Sequence, residues 1–161
     1  MYITLEEYAS IYGSIDGQSF NRLAFDACRC IDRHTTGIDG VKKLKVAFPS
    51  DEDSAEAVKR CAAEIVNFLF QIQEAEKTAS AGRGYQQTEN GLRGKVVTSV
   101  SAGNESVSYS SGSFQSTAFD AAVADRSIRD RLIIRTVRDY LSGVSDANGV
   151  NLLYMGVYPC V

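Results

Sequence analysis

Residues 54–77 read SAEAVKRCAAEIVNFLFQIQEAEK, and this stretch decides the fold class. At 100° per residue, its apolar side chains share one arc of a helix that is wider than half of the circumference. Acidic residues at 51–53 precede it, and the backbone dipole favours carboxylates at the N-terminus of a helix. Because a helix this apolar needs neighbours on more than one side, the stretch predicts the central helix of a bundle. The arc comprises Val58, Cys61, Ala62, Ile65, Val66, Phe68, Leu69, Phe70 and Ile72.

Three further helices are predicted around this central one. Thr4 and Glu7 have the spacing of a capping box, in which each side chain accepts a hydrogen bond from the other residue's backbone amide. A short helix is therefore expected over about residues 5–12. Residues 17–36 and 120–142 each place apolar side chains on one face and charged side chains on the opposite face. The fold class is thus mainly α, a bundle of about four helices at about residues 5–12, 17–36, 54–77 and 120–142.

The strong β pattern lies at residues 95–110. Val, Thr and Tyr recur on both sides of Gly103-Asn104, a dipeptide that suits a tight turn. This pattern predicts a β-hairpin that is polar on both faces. Since an isolated hairpin is marginal in water, it needs another surface to lie on, in the same subunit or in a neighbour.

The C-terminal tail, residues 150–161, is apolar over most of its length. An exposed apolar strand is an aggregation hazard, and a chain end frays unless it docks. Two docking sites stay open for this tail: the chain's own core, and a partner's sheet through strand addition.

Two groups of basic residues stand out. Arg131, Arg135 and Arg138 lie within about 60° of one another on the helix at 120–142, opposite its apolar face. Either this stripe is solvated, or it meets acidic groups on another subunit or phosphate in a channel. The second group lies in the predicted loop 37–50 and is interpreted as solvated. It consists of Lys42, Lys43 and Lys45.

Composition narrows the class of protein. The chain has 161 residues, of which 44% are hydrophobic and 23% are charged, which is the balance of a folded protein and excludes disorder or collagen. The net charge of −3 gives no general affinity for nucleic acid. The longest apolar run, 65–70, is too short to span a bilayer. Four cysteines without a signal-peptide pattern predict free, buried thiols in a reducing cytoplasm.

No catalytic residue, cofactor or metal is predicted. Cys28 and Cys30 are two positions apart on a predicted helix, so their side chains point away from each other and cannot share one ion. His34 lies within the apolar arc of that helix and is interpreted as a partly buried histidine. The glycines between 79 and 94 predict a loop, and their spacing fits neither a dinucleotide-binding pattern nor a phosphate-binding Walker pattern.

Four segments, in order along the chain, resemble one known family. VTSVSAGNESVSYS at 97–110 resembles the hairpin of the phage head–tail connector family, the head-completion or adaptor proteins of tailed siphoviruses and their prophages. YITLEEY at 2–8 is similar to the family's start, and ACRCIDRHT at 27–35 is similar to its second-helix segment. Tyr140-Leu141 followed by LLYMGV at 152–157 resembles its close, with Met155 in place of a usual Arg.

The resemblance implies a structural role and no enzymatic activity. Members of the family are small helical bundles with a protruding hairpin. The fold expected for this chain is such a bundle, with one protruding hairpin and an extended C-terminal tail. They form a ring, dodecameric in the virion, that docks under the portal, extends the DNA channel and joins head to tail. A ring needs head-to-tail interfaces that close.

The expected partners follow from that role. They are further copies of the chain, the portal protein, the next connector or tail component, and double-stranded DNA that passes without sequence specificity; no membrane is expected. The expected location is the virion, after assembly in the host cytoplasm.

On this interpretation the subunit and portal interface lies on the hairpin and the tail. The predicted hairpin residues are Val96, Thr98, Val100, Val107 and Tyr109. The predicted tail residues are Leu152, Leu153, Tyr154, Met155 and Val157. The basic stripe of Arg131, Arg135 and Arg138 faces DNA, a neighbouring subunit or solvent, and these three alternatives stay open.

Two alternatives from other functional classes stay open. One is a small cytoplasmic helical adaptor or regulator that binds its partner through the C-terminal tail. The other is a thiol-dependent enzyme that uses a cysteine or His34. An enzyme needs polar groups that converge in a pocket, and the sequence nominates none.

Overall fold

The chain is mainly helical, as the sequence predicts. The computed structural model describes residues 1–81, 85–88, 91–94, 96–101, 106–110, 121–123 and 125–159, and the side chains of 1–77, 121–123 and 125–159. The helices are α1 (Leu5–Tyr12), α2 (Gly17–Thr35), α3 (Lys43–Val46), α4 (Glu52–Ala81) and α5 (Arg126–Leu141). The strands are β1 (Tyr85–Thr88), β2 (Gly91–Gly94), β3 (Val96–Ser101) and β4 (Ser106–Ser110).

The chain divides into two compact units. Unit 1 consists of residues 1–70 and 132–161, and unit 2 consists of residues 71–131. The interpretation of the chain as a single connector domain, 1–161, stays a prediction. In the part of the chain that the structure describes, no helix is both long enough and apolar enough to cross a membrane.

The core of unit 1 is built around the first part of α4. Its fully buried side chains span about 200° of the helix, so the predicted wide arc is confirmed over this half of the helix. Phe68, Leu69 and Phe70 are partly buried and pack against the same core. The other elements contribute apolar side chains to the same cluster, among them Tyr8, Phe20, Ala24, Ile31, Leu44, Ile133, Val137 and Leu141.

The helix limits agree with the sequence wherever a local signal marks them. The capping box that starts α1 is present, with Glu7 N 3.2 Å from Thr4 Oγ1 and Thr4 N 2.8 Å from Glu7 Oε2. Asp16 caps α2 by accepting from Ser19 N at 2.9 Å. Helix α4 runs four residues beyond its predicted end at 77. The predicted start of the last helix near 120 lies outside the described residues.

The predicted loop at 37–50 is wrong at its centre. Residues 43–46 form α3, and Lys43, interpreted as solvated, is 0% exposed. Lys42 and Lys45 are exposed, and Lys45 Nζ lies 3.5 Å from a carboxylate oxygen of Asp32. The local pattern is misleading because the partners of Lys43 come from a part of the chain more than 100 residues away.

Unit 2 contains two pairs of antiparallel strands. β3 pairs with β4 in a register that places Val97 opposite Tyr109 and Val100 opposite Val107, with an irregularity between Val97 and Ser99. Residues 95 and 102–105 of the predicted hairpin lie outside the described residues. The side chains of Val96, Thr98, Val100, Val107 and Tyr109 do so too, and their place in an interface stays a prediction. The predicted loop at 79–94 is wrong where α4 continues to Ala81 and where β1 pairs with β2.

An ion pair that joins α1 to α4 leads to a prediction about pH. Lys59 Nζ lies 2.6 Å from Glu7 Oε1, and this contact, followed by the hydrogen bond from Thr4, lowers the pKa of Glu7 below its ordinary 4.5. The stabilisation is therefore complete above the ordinary pKa and is lost as the pH falls through the lowered one. We expect Glu7→Gln to lower the free energy of unfolding at about pH 7 and to have little effect near pH 2, measured by urea unfolding.

The exposed neighbour Glu6 provides the matched control. Glu6→Gln is expected to change the free energy of unfolding little at either pH. An effect of Glu7→Gln that is the same at both values of pH would contradict the electrostatic account.

Candidate interaction surface

The C-terminal segment folds back onto its own unit. Leu152 is 0% exposed and belongs to the core cluster, and Leu153 is partly buried against it. The described part of the tail, residues 150–159, therefore uses the first of the two docking sites left open, the chain's own core. Leu152, which the sequence predicts at a partner interface, is buried there. The physical reason is that Leu152 belongs to the same buried cluster as Val137 and Leu141, so the chain itself removes this side chain from water.

A tight turn at 144–152 directs the segment toward the core. Ser145 and Asn151 form an antiparallel bridge, and Leu152 N donates to Val144 O at 2.9 Å. The carboxylate of Asp146, which is 5% exposed, accepts from the backbone amides of Asn148 and Val150, both at 2.9 Å. The Asp146 side chain thereby satisfies the donors that this turn leaves unpaired.

Lys43 binds the segment that follows the turn. Its Nζ donates to the carbonyl oxygen of Leu152 at 3.1 Å and to that of Tyr154, and it lies 5.8 Å from the centre of the Tyr154 ring. Burial lowers the pKa of Lys43, and the carboxylates of Asp146 and Asp39 oppose this shift. A buried ammonium group needs such acceptors because removing a charge from water without partners is costly.

Asp39 and Tyr158 tie the end of the segment to the loop after α2. Tyr158 N donates to Asp39 Oδ2 at 2.6 Å and Val41 N donates to Asp39 Oδ1 at 3.1 Å, and these bonds lower the pKa of Asp39. The hydroxyl of Tyr158 donates to Asp146 Oδ2 at 2.6 Å and accepts from Asn148 Nδ2 at 2.9 Å. Burial, followed by the bond to Asp146, raises the pKa of Tyr158.

The loop after α2 and the segment also meet through their backbones. Ile38 N donates to Met155 O at 3.0 Å. A Cβ at Gly37 would clash with the carbonyl oxygen of Gly156, so the close approach of the two backbones requires glycine at 37. The two stretches therefore lie side by side, and their exposed side chains are candidates for one surface.

That surface is apolar and exposed, and we call it the C-terminal apolar patch. Ile38 is 81% exposed, Tyr154 52%, Met155 58% and Val157 66%. Large apolar side chains scattered singly are ordinary on a protein surface, but four on two paired backbones form a patch of the kind that marks interaction sites. Of the predicted tail residues, the structure thus exposes Tyr154, Met155 and Val157.

No protein-family model matches the chain, and neither does any curated protein or solved structure. The patch is therefore interpreted from its own geometry and from the sequence resemblance.

The predicted basic stripe lies on α5. Arg131, Arg135 and Arg138 are exposed, whereas Ile133 and Val137 on the other side of the helix are buried. Arg131 donates to the carbonyl and hydroxyl oxygens of Ser127, and Arg135 Nε lies 3.6 Å from Asp139 Oδ2. Because such exposed contacts contribute little to stability, the guanidinium groups are available to an anionic partner.

The thiols of Cys28 and Cys61 have raised pKa values. Burial raises the pKa of Cys61 to about 12 and also raises that of Cys28. A thiol with a raised pKa is a poor nucleophile at neutral pH because the thiolate is the reactive species. Among the described side chains, no three His, Cys, Asp or Glu residues are grouped so that they could hold a metal ion.

Sequence reasoning missed the residues that hold the patch in place. The turn at 146–149 has a recognisable Asp-x-Asn-Gly pattern, which was the available signal for the fold-back of the tail. Nothing in the local sequence distinguishes Lys43 from Lys42 or Lys45, and nothing marks Asp39 or Ile38 as neighbours of the tail.

Proposed function

We propose that the chain is a structural subunit of a phage head–tail connector ring, which docks under the portal and extends the DNA channel. The observation that carries the proposal is the occurrence of the four family-like segments in the family's order over nearly the whole chain. The mainly helical fold is consistent with that family.

The C-terminal apolar patch supports the proposal physically, and we assign the portal protein as its partner. The patch includes Tyr154, Met155 and Val157, which lie in the segment that resembles the family's close. The backbone bonds that hold it pre-form the surface, so little conformational entropy is lost when a partner docks. The chain would thus present a pre-formed apolar contact to the portal.

The basic stripe on α5 fits a role along the DNA channel. Arginine binds phosphate through bidentate hydrogen bonds and carries no sequence information when it does so. Contacts of this kind would hold DNA without selecting any sequence, as a channel requires.

The test is docking of the purified chain onto portal rings of the phage or prophage that encodes it. We expect the chain to co-elute with the rings in size-exclusion chromatography with light scattering, and electron microscopy to show a ring of chains on the portal. Because charges in an apolar contact are costly, the Met155→Asp, Val157→Asp variant is expected to dock at least ~100-fold more weakly. In the assembled ring, Arg131, Arg135 and Arg138 are expected to face the channel.

Phe25 provides the matched control. It is 58% exposed, as Met155 is, but lies on α2 and outside the patch. Phe25→Asp is expected to dock like the unmodified chain. Absence of docking by the unmodified chain would overturn the connector proposal, and equal docking by both variants would remove the patch from the portal interface.

A second candidate is a helical adaptor of an unrelated assembly that binds its partner through the same patch. The exposure of Met155 and Val157 favours it equally, because an apolar patch does not identify its partner. The genes next to the coding sequence distinguish the two: portal, capsid and tail genes are expected for a connector.

A further inference from the structure

The residues after Leu152 are held to the rest of unit 1 by a series of hydrogen bonds. We call residues 153–158 the strap. Leu153 packs partly against the core and Tyr158 is buried, so apolar burial helps to hold both ends of the strap. Tyr154, Met155 and Val157 between them are largely exposed, so burial contributes little to holding its middle. Leu152, directly before the strap, is by contrast anchored in the core.

Polar contacts with the 37–43 stretch hold the strap along its whole length. Lys43 donates to the carbonyls of Leu152 and Tyr154, Ile38 N donates to Met155 O, and Asp39 accepts from Tyr158 N. The bond from the Tyr158 hydroxyl to Asp146 closes the far end. The strap is thus fastened at its start, at its middle and at its end.

The hydrogen bonds at the start of the strap are donated by a buried charged group, the Lys43 ammonium. A hydrophobic residue of similar size in place of a buried charge is often neutral or stabilising, so a buried ammonium group is a weak device for stability alone. It does, however, bind the carbonyls of Leu152 and Tyr154 at the same time, and thereby restricts where the start of the strap can lie. The geometry therefore makes Lys43 a positioning residue for the exposed patch.

We propose that the strap opens and closes as a unit while Leu152 and the helical core stay folded. The hydrogen bonds donated by the Lys43 ammonium group hold the strap closed. When the strap opens, Tyr154, Met155 and Val157 separate from Ile38, and the C-terminal apolar patch ceases to exist as one surface. The strap thus regulates the interaction surface. The identity of the partner rests on the proposed function, but the opening of the strap does not.

The test is amide hydrogen exchange of the full chain, followed by nuclear magnetic resonance, in Lys43→Met. The amides of Ile38 and Tyr158, which bond across the closed strap, are expected to exchange at least ~10-fold faster than in the unmodified chain. The amides of Leu152, which bonds to Val144, and of the core residue Ile65 are expected to keep their rates. Lys42→Met, at an exposed lysine next in the chain, is expected to leave all four rates unchanged.

The unmodified chain gives an independent measurement if Lys43→Met does not fold. At low urea, Ile38 and Tyr158 are expected to share one opening free energy that is smaller than that of Ile65. Exchange of Ile38 and Tyr158 only through global unfolding would overturn the proposal, as would equal acceleration of all four amides in Lys43→Met. Because portal rings are not used, failure of the connector proposal leaves this result unaffected.

Discussion

Replacement of Leu152 by alanine is expected to lower the free energy of unfolding by about 2–5 kcal/mol. The side chain is fully buried and packs in the same cluster as Leu44, Val137 and Leu141. The loss has two parts: the hydrophobic stabilisation that the removed carbon atoms provided, and the free-energy cost of the cavity that remains among these neighbours. Urea unfolding followed by circular dichroism measures it, with an unchanged dependence on urea as the sign that the two-state model holds.

Met155 provides the control for this effect within the same segment. It is 58% exposed, and Met155→Ala is expected to change the free energy of unfolding by less than about 0.5 kcal/mol. Equal effects at 152 and 155 would mean that the segment does not dock as described. Because Leu152 belongs to the core, truncation before this residue tests stability and not docking alone.

Replacement of Asp146 by alanine is expected to lower the free energy of unfolding by about 3 kcal/mol. The buried carboxylate accepts hydrogen bonds from two backbone amides, of Asn148 and Val150, and from the hydroxyl of Tyr158. Alanine leaves these donors without their acceptor, and bonds to a charged group are stronger than neutral ones. The turn that directs Leu152 into the core loses two hydrogen bonds, and the end of the strap loses the bond from the Tyr158 hydroxyl.

Asp139 provides an acidic control in the same unit. Its side chain is 65% exposed and forms only an exposed ion pair with Arg135. Asp139→Ala is expected to change the free energy of unfolding by less than about 1 kcal/mol. A cost at Asp146 no larger than at Asp139 would mean that its three hydrogen bonds contribute nothing to stability.

The fold class and most helix positions could be predicted because their signals are local. The capping box at Thr4 and Glu7 lies within one helical turn, and the apolar arc of α4 repeats over neighbouring turns. The stretch at 37–50 has no such period, and α3 forms there around residues whose neighbours are distant in the chain. Local rules therefore predicted a loop in place of α3.

The candidate site could be predicted only in part. Its apolar composition marked the tail as a segment that needs a docking place, and Tyr154, Met155 and Val157 are indeed exposed. The same composition gave no sign that Leu152 turns inward. That difference depends on the turn at Asp146 and on the space available in the core of unit 1.

The amino-acid sequence by itself determined the periodicity of the helices, their caps and the list of groups that need partners. Which partner each group finds was decided only by the tertiary structure. Lys43 illustrates the physical reason: its ammonium group requires acceptors wherever it lies, but the carbonyls that accept it belong to residues 152 and 154. These carbonyls are within reach because Leu152 is buried in the core and the chain that follows it passes beside Lys43 of α3.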